Sequence, residues 1–140
     1  MMAKCGSDRS TGKYRLGRAD TKLIYAIDDD GLVRTFLEHA LALGGYPIEC
    51  FADAASLIAA TQRKRPALFL IDIRMPETSG EEMVTTLRSI AGCEETPILV
   101  ITGSGRLDRV SAALQAGAQG FLLKPFSPEQ AMSAVHRWLG

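Results

Sequence analysis

The sequence predicts an α/β protein, a single doubly wound sheet of five parallel strands. Strand-like and helix-like segments alternate from residue 23 to the end, the signature of repeated βαβ units. Two of the strand-like runs, ALFLI (67–71) and PILVI (97–101), are almost wholly apolar. Central parallel strands covered on both faces have this character. At 140 residues the chain has room for one such domain and a core of its own.

Each element has a local reason. LIYAI (23–27) is a short apolar run that ends in Asp28-Asp29-Asp30. A helix follows, with Leu32, Val33, Phe36, Leu37, Ala40 and Leu41 on its predicted apolar face, and it stops at Gly44-Gly45. YPIECF (46–51) is a weaker strand, and Pro47 pushes it to a sheet edge. Asp53 can cap a second helix, which ends before Pro66. After ALFLI, Ser79-Gly80-Glu81-Glu82 opens the third helix with a capping box. PILVI closes on Thr102-Gly103, and a fourth helix spans about residues 106–116. GFLL (120–123) is the last strand and ends in Lys124-Pro125. Ser127-Pro128-Glu129-Gln130 starts the fifth helix, whose apolar face is Ala131, Ala134, Val135, Trp138 and Leu139.

Apolar residues make up 46% and charged residues 23%, an ordinary balance for a soluble domain. No apolar run reaches the length of a membrane span, and the first ten residues lack the apolar stretch of a secretory signal. Cys5, Cys50 and Cys93 are odd in number and irregularly spaced, which points to a reducing, cytoplasmic setting. The formal net charge is zero but uneven. Residues 1–22 carry six Lys/Arg against Asp8 and Asp20, leaving the remainder with a matching negative excess. That first stretch reads as a flexible basic tail, and residues 23–140 as the domain. A contact between the tail and nucleic acid or an acidic partner is the less favoured reading, because no repeated basic-aromatic pattern supports it.

In an open parallel sheet, chemistry collects at the carboxyl ends of the strands. Those ends carry Asp28 and Asp29, then Asp72, then Thr102, then Lys124. If the first and third strands are neighbours, three carboxylates meet in one cleft, an arrangement unfavourable without a counter-ion. A hard divalent cation resolves it. Mg²⁺ (or Mn²⁺) prefers oxygen ligands and uses one or two carboxylates. With Lys124 the charges then cancel, leaving a site suited to a phosphoryl group.

The runs AIDDD, LIDIRMP with Gly80, ITG and LLKPF together resemble the response regulator receiver domain of two-component signalling, over residues 23–139. The resemblance implies a flavodoxin-like (β/α)5 fold with strand order 2-1-3-4-5. It implies that Asp72 is the phosphoacceptor and that Asp28, Asp29, Asp72 and the Arg74 backbone carbonyl hold the metal. Thr102 and Lys124 would contact the phosphoryl group. Thr102 and Phe121 would form the switch, with Phe121 standing where a tyrosine is commoner. Arg74 and Ser104 fall at positions that tune phosphate lifetime, and Pro76, Gly80 and Pro125 at structural turns, with Lys124-Pro125 in cis. The implied phosphoryl donor is a histidine kinase or a histidine phosphotransfer protein. The implied output is an altered α4-β5-α5 face that binds a downstream protein or a second copy. Neither membrane insertion nor direct nucleic-acid binding by this domain is implied.

Other readings are weaker. Phe121 also fits a plain core aromatic, and His39 and His136 fit ordinary surface positions. Gly103-Ser104-Gly105 begins like a dinucleotide loop, but position 108 is Asp rather than Gly. An aspartate-nucleophile phosphatase would place a second acid where this chain has Arg74, so steady enzymatic turnover is not expected. A degenerate scaffold would not need the intact acidic triad. The favoured reading is a stand-alone receiver, a phosphorylation-dependent binding module or relay intermediate; the alternative is the receiver half of a truncated DNA-binding transcriptional regulator or hybrid kinase.

Overall fold

The computed structural model describes residues 22–75, 77–103 and 107–140. The element order is β1 (Ile24–Ile27), α1 (Gly31–Leu43), β2 (Ile48–Phe51), α2 (Ala54–Arg63) and β3 (Leu68–Asp72). It continues with α3 (Gly80–Arg88), β4 (Ile98–Thr102), α4 (Leu107–Ala116), β5 (Gly120–Leu123) and α5 (Pro128–Leu139). The five strands form one sheet in the order β2-β1-β3-β4-β5, and every neighbouring pair is parallel. The fold class and strand order expected from the sequence are those observed.

The strand burial explains that order. Every residue of β1, β3 and β4 is buried, whereas the edge strands are more open: no residue of β2 is fully buried, and in β5 only Leu122 is. Pro47 precedes the β2 edge strand, where a missing donor does little harm. Successive side chains of a strand point to opposite faces, so the core has two halves. Tyr25, Ile27, Phe69, Ile71 and Val100 pack against Leu57 of α2, Met83 and Leu87 of α3 and Val110 of α4. Ile24, Ala26, Leu70, Leu99 and Ile101 pack against Leu37 and Leu41 of α1 and Ala131 and Val135 of α5. Helices on both faces make the sheet doubly wound.

The helix ends follow the sequence signals. Asp53 accepts from the Ser56 amide at 2.8 Å. Both capping boxes close, Ser79 with Glu82 and Ser127 with Gln130. After α1 the chain turns through Gly45 at φ +86°, a conformation that favours glycine. Gly80 is required for another reason. A Cβ there would lie 2.8 Å from Cγ1 and 3.0 Å from Cα of Ile73, so only glycine lets α3 start this close to the end of β3.

Three side chains differ from expectation. Leu32 is 82% exposed. It stands roughly 140° around the helix from Leu37, at the margin of the buried stripe. There it rims an apolar groove with Val33, Phe36, Pro125 and Phe126. Trp138 remains 41% exposed on the last turn of α5. Phe121 is not a core aromatic: on an edge strand, with the sheet-inward place taken by Leu122, it is 49% exposed. The Lys124-Pro125 bond is cis, as the resemblance implied. Pro76, Ser104 and the tail up to residue 21 lie outside the described residues.

Candidate functional site

The register brings the strand ends level. Ile27 pairs with Ile71, so Asp28 and Asp72, the next residues, leave adjacent strands side by side. Asp72 itself pairs with Ile101, next to Thr102, and Thr102 pairs with Leu123, next to Lys124. Hydrogen bonds extend the ladder past the strands: Asp28 N–H to the Phe51 carbonyl at 3.2 Å, Ile73 N–H to Ile101 at 2.9 Å, Lys124 N–H to Thr102 at 2.7 Å. The positions of these side chains are therefore set by the sheet.

The outcome is a compact acidic cluster. One carboxylate oxygen from each of Asp28, Asp29 and Asp72 lies within 4.8 Å of the others. Asp28 and Asp72 are buried, and Asp29 is exposed at the mouth. Asp28 Oδ1 accepts from the Asp30 amide at 2.9 Å, and Asp72 Oδ1 from the Arg74 amide at 3.1 Å. The Lys124 ammonium lies 3.1 Å from Asp28 Oδ2 and 3.9 Å from Asp72 Oδ1. The first contact is an ion pair without hydrogen-bond geometry, which leaves Asp28 Oδ2 a buried oxygen lacking a hydrogen-bond partner.

The electrostatics reflect this crowding. Burial is the largest influence on Asp72 and pushes its carboxyl up to about 6. The Arg74 amide and the Lys124 charge pull it down, while the neighbouring Asp28 pushes it further up. Three carboxylates served by one lysine, one of them presenting an unbonded buried oxygen, form a donor set that suits a hard divalent cation.

Not every expected residue faces the cluster. The Thr102 side chain is buried, but its hydroxyl donates to the Gly103 carbonyl at 3.0 Å. Phe121 points outward, and the Arg74 side chain is exposed. Asp30 is the N-cap of α1, accepting from the Leu32 amide at 2.9 Å. Sequence reasoning missed Arg34, whose Nη1 donates to the Asp28 carbonyl at 2.8 Å. Its only sequence signal was an arginine in the first turns of the helix that follows the acidic run.

The family model for the response regulator receiver domain matches residues 24–136. The response regulator MprA of Mycobacterium leprae is 34% identical over 116 residues, which are 83% of this chain and 50% of that protein. The response regulator protein TodT of Pseudomonas putida is 33% identical over 113 residues, covering 81% and 49%. This chain thus spans about half the length of those curated relatives. Among solved structures, the chemotaxis response regulator CheY4 of Vibrio cholerae superposes with a TM-score of 0.79 at 32% identity, covering 84% of this chain and 98% of that one. The receiver domain of NtrX from Brucella abortus gives 0.78 at 25% identity, covering 83% and 97%. With its family match, its relatives and its fold in agreement, the chain belongs to the response regulator receiver domains of two-component signalling.

Proposed function

We propose that this domain accepts a phosphoryl group on Asp72 from the phosphohistidine of a histidine kinase or phosphotransfer protein. The observation that carries the reading is the convergence of the Asp28, Asp29 and Asp72 oxygens within 4.8 Å, with Lys124 beside two of them. An Asp72 carboxylate oxygen attacks phosphorus in line, the P–N bond breaks, and the imidazole leaves with the electron pair and takes up a proton. Asp28, Asp29, Asp72 and the Arg74 carbonyl would hold Mg²⁺, or Mn²⁺ in its place. A bound divalent cation there supplies charge neutralisation for the phosphoryl oxygens. Lys124 pairs with one phosphoryl oxygen. The Thr102 hydroxyl, which donates to the Gly103 carbonyl, would leave it to donate to another phosphoryl oxygen.

The readout is a population shift. Rotation of Phe121 inward accompanies the Thr102 movement and alters the face made by α4, β5 and α5, where a downstream protein or a second copy binds. Phe121 has no phenolic hydroxyl, so this switch works by packing alone. The domain catalyses its own phosphorylation and slow dephosphorylation, without steady turnover of a substrate. Its composition fits the cytoplasm, and among the described residues no helix is long and apolar enough to cross a membrane. A second reading makes this the receiver half of a longer transcriptional regulator or hybrid kinase, favoured by the half-length match to MprA and TodT. The size of the native gene product separates the two.

Intact mass after incubation with acetyl phosphate tests the central reading. A single phosphoryl adduct is expected with Mg²⁺, and none when the metal is chelated or when Asp72→Asn replaces the protein. An adduct of equal yield in that variant would refute it.

A further inference from the structure

We propose that Arg34 is a positioning residue for the acidic pair, fixing the Asp28–Asp29 peptide and thereby the cluster's affinity for a divalent cation. The inference rests on the metal-dependent reading above and assigns a residue outside the ligand set.

Two of the three acids are held directly. Asp28 is fixed through the Asp30 amide and Asp72 through the Arg74 amide. Asp29 differs: among the described residues no hydrogen bond to its carboxylate is found, and it is exposed. Where its oxygens lie is therefore decided by the backbone that carries it. Among the described residues, the peptide between Asp28 and Asp29 has one anchor on its carbonyl, the Arg34 guanidinium at 2.8 Å. Asp28's own amide is tied to the Phe51 carbonyl at 3.2 Å, so the strand side of the turn is fixed independently. Arg34 fixes the other side.

The helix start is shaped to let the arginine do this. Arg34 donates its own amide to the Asp30 carbonyl, an ordinary helical bond any residue could make. Its side chain then folds back over Gly31. A Cβ at that position would lie 3.3 Å from Arg34 Nη2, so the glycine leaves the space the guanidinium uses. Arginine suits the role because its planar fork is preorganised and carries charge at any working pH.

A purely electrostatic role predicts the opposite sign. A cation beside an acidic cluster opposes the arrival of Mg²⁺, so removing it would tighten binding. Loss of a positioning contact frees the Asp29 peptide and weakens binding. Groups that orient metal ligands are typically worth about tenfold or more in affinity.

The test is calorimetric titration of Mg²⁺ into unphosphorylated wild-type protein and into Arg34→Met and Arg34→Lys variants, with thermal unfolding in EDTA to establish that each is folded. Expected is a loss of about tenfold in Mg²⁺ affinity for Arg34→Met, partly restored in Arg34→Lys, which keeps a donor within reach. If Arg34→Met fails to fold, Arg34→Lys alone decides, with weaker binding expected because one ammonium replaces the fork. Unchanged or tighter binding in folded Arg34→Met, or in Arg34→Lys where Arg34→Met does not fold, would overturn the positioning role and leave the metal reading standing. Absence of Mg²⁺ binding by the wild type would overturn both.

Discussion

The ammonium of Lys124 lies 3.1 Å from Oδ2 of Asp28, nearer to this acid than to Asp72, which it approaches at 3.9 Å. The lysine thus serves chiefly as the counter-ion of a fully buried carboxylate just past the end of β1. Phosphorylation of Asp72 would offer it a stronger anion on the neighbouring strand. Lys124→Ala should therefore lower the stability of the metal-free protein by about 1–3 kcal/mol at pH 7, less than for a wholly buried pair because the lysine is partly solvated. Mg²⁺ should bind the variant more tightly, as it replaces the missing charge. Urea unfolding with EDTA and with Mg²⁺ measures both effects.

Asp72 gives stability a distinctive pH dependence. Its carboxyl is raised from the ordinary 3.8 to about 6, chiefly by burial. The folded state then holds its proton more tightly than the unfolded state, so this group favours folding below about pH 4. That contribution fades as pH rises towards 6. Asp72→Asn, which cannot ionise, should match the wild type below pH 4 and exceed it by about 2 kcal/mol above pH 6 when metal is chelated. Denaturant titrations at pH 4 and pH 7 in EDTA check the sign. A wild type that gains on the variant as pH rises would contradict it.

Arg88 holds together loops at the opposite edge of the sheet. Its guanidinium donates to the carbonyls of Cys93, Thr96 and Gly117 and to Gln119 Oε1, which in turn accepts from the Ile98 amide. Burial lowers its pKa, because the charge has given up part of its water for these carbonyls. Arg88→Met keeps the apolar stem but leaves these carbonyls to water, and should cost about 2–3 kcal/mol in urea unfolding. Phosphoryl acceptance should be intact.

Arg74 follows Asp72, the proposed acceptor, by two residues and is exposed. It is proposed to screen the acyl phosphate from water. Arg74→Ala should then shorten the lifetime of the phosphorylated protein severalfold without changing stability, read as loss of the phosphoryl adduct with time. An unchanged lifetime would remove this role.

The strands were legible because burial on both faces writes itself as the apolar runs LFLI and ILVI, and the edge position of β2 because Pro47 lacks a donor. The acidic cluster was legible because parallel strands deliver their ends to one side. What the sequence concealed are contacts to backbone carbonyls. Arg34 and Arg88 find acceptors that every residue carries, so no pattern of side chains announces them. Nor does the Leu32 periodicity reveal that the helix's first turn rims an apolar groove, or the GFLL run that an edge strand turns Phe121 outward.

The claim that Asp72 is the acceptor is tested most directly by trapping the product. Protein phosphorylated by acetyl phosphate in Mg²⁺ is reduced with borohydride, which converts an aspartyl phosphate to homoserine, and its peptides are then mapped by mass. The account predicts homoserine at position 72 and unmodified aspartate at 28 and 29. Homoserine at either of those positions, or phosphate recovered on a histidine, would contradict it.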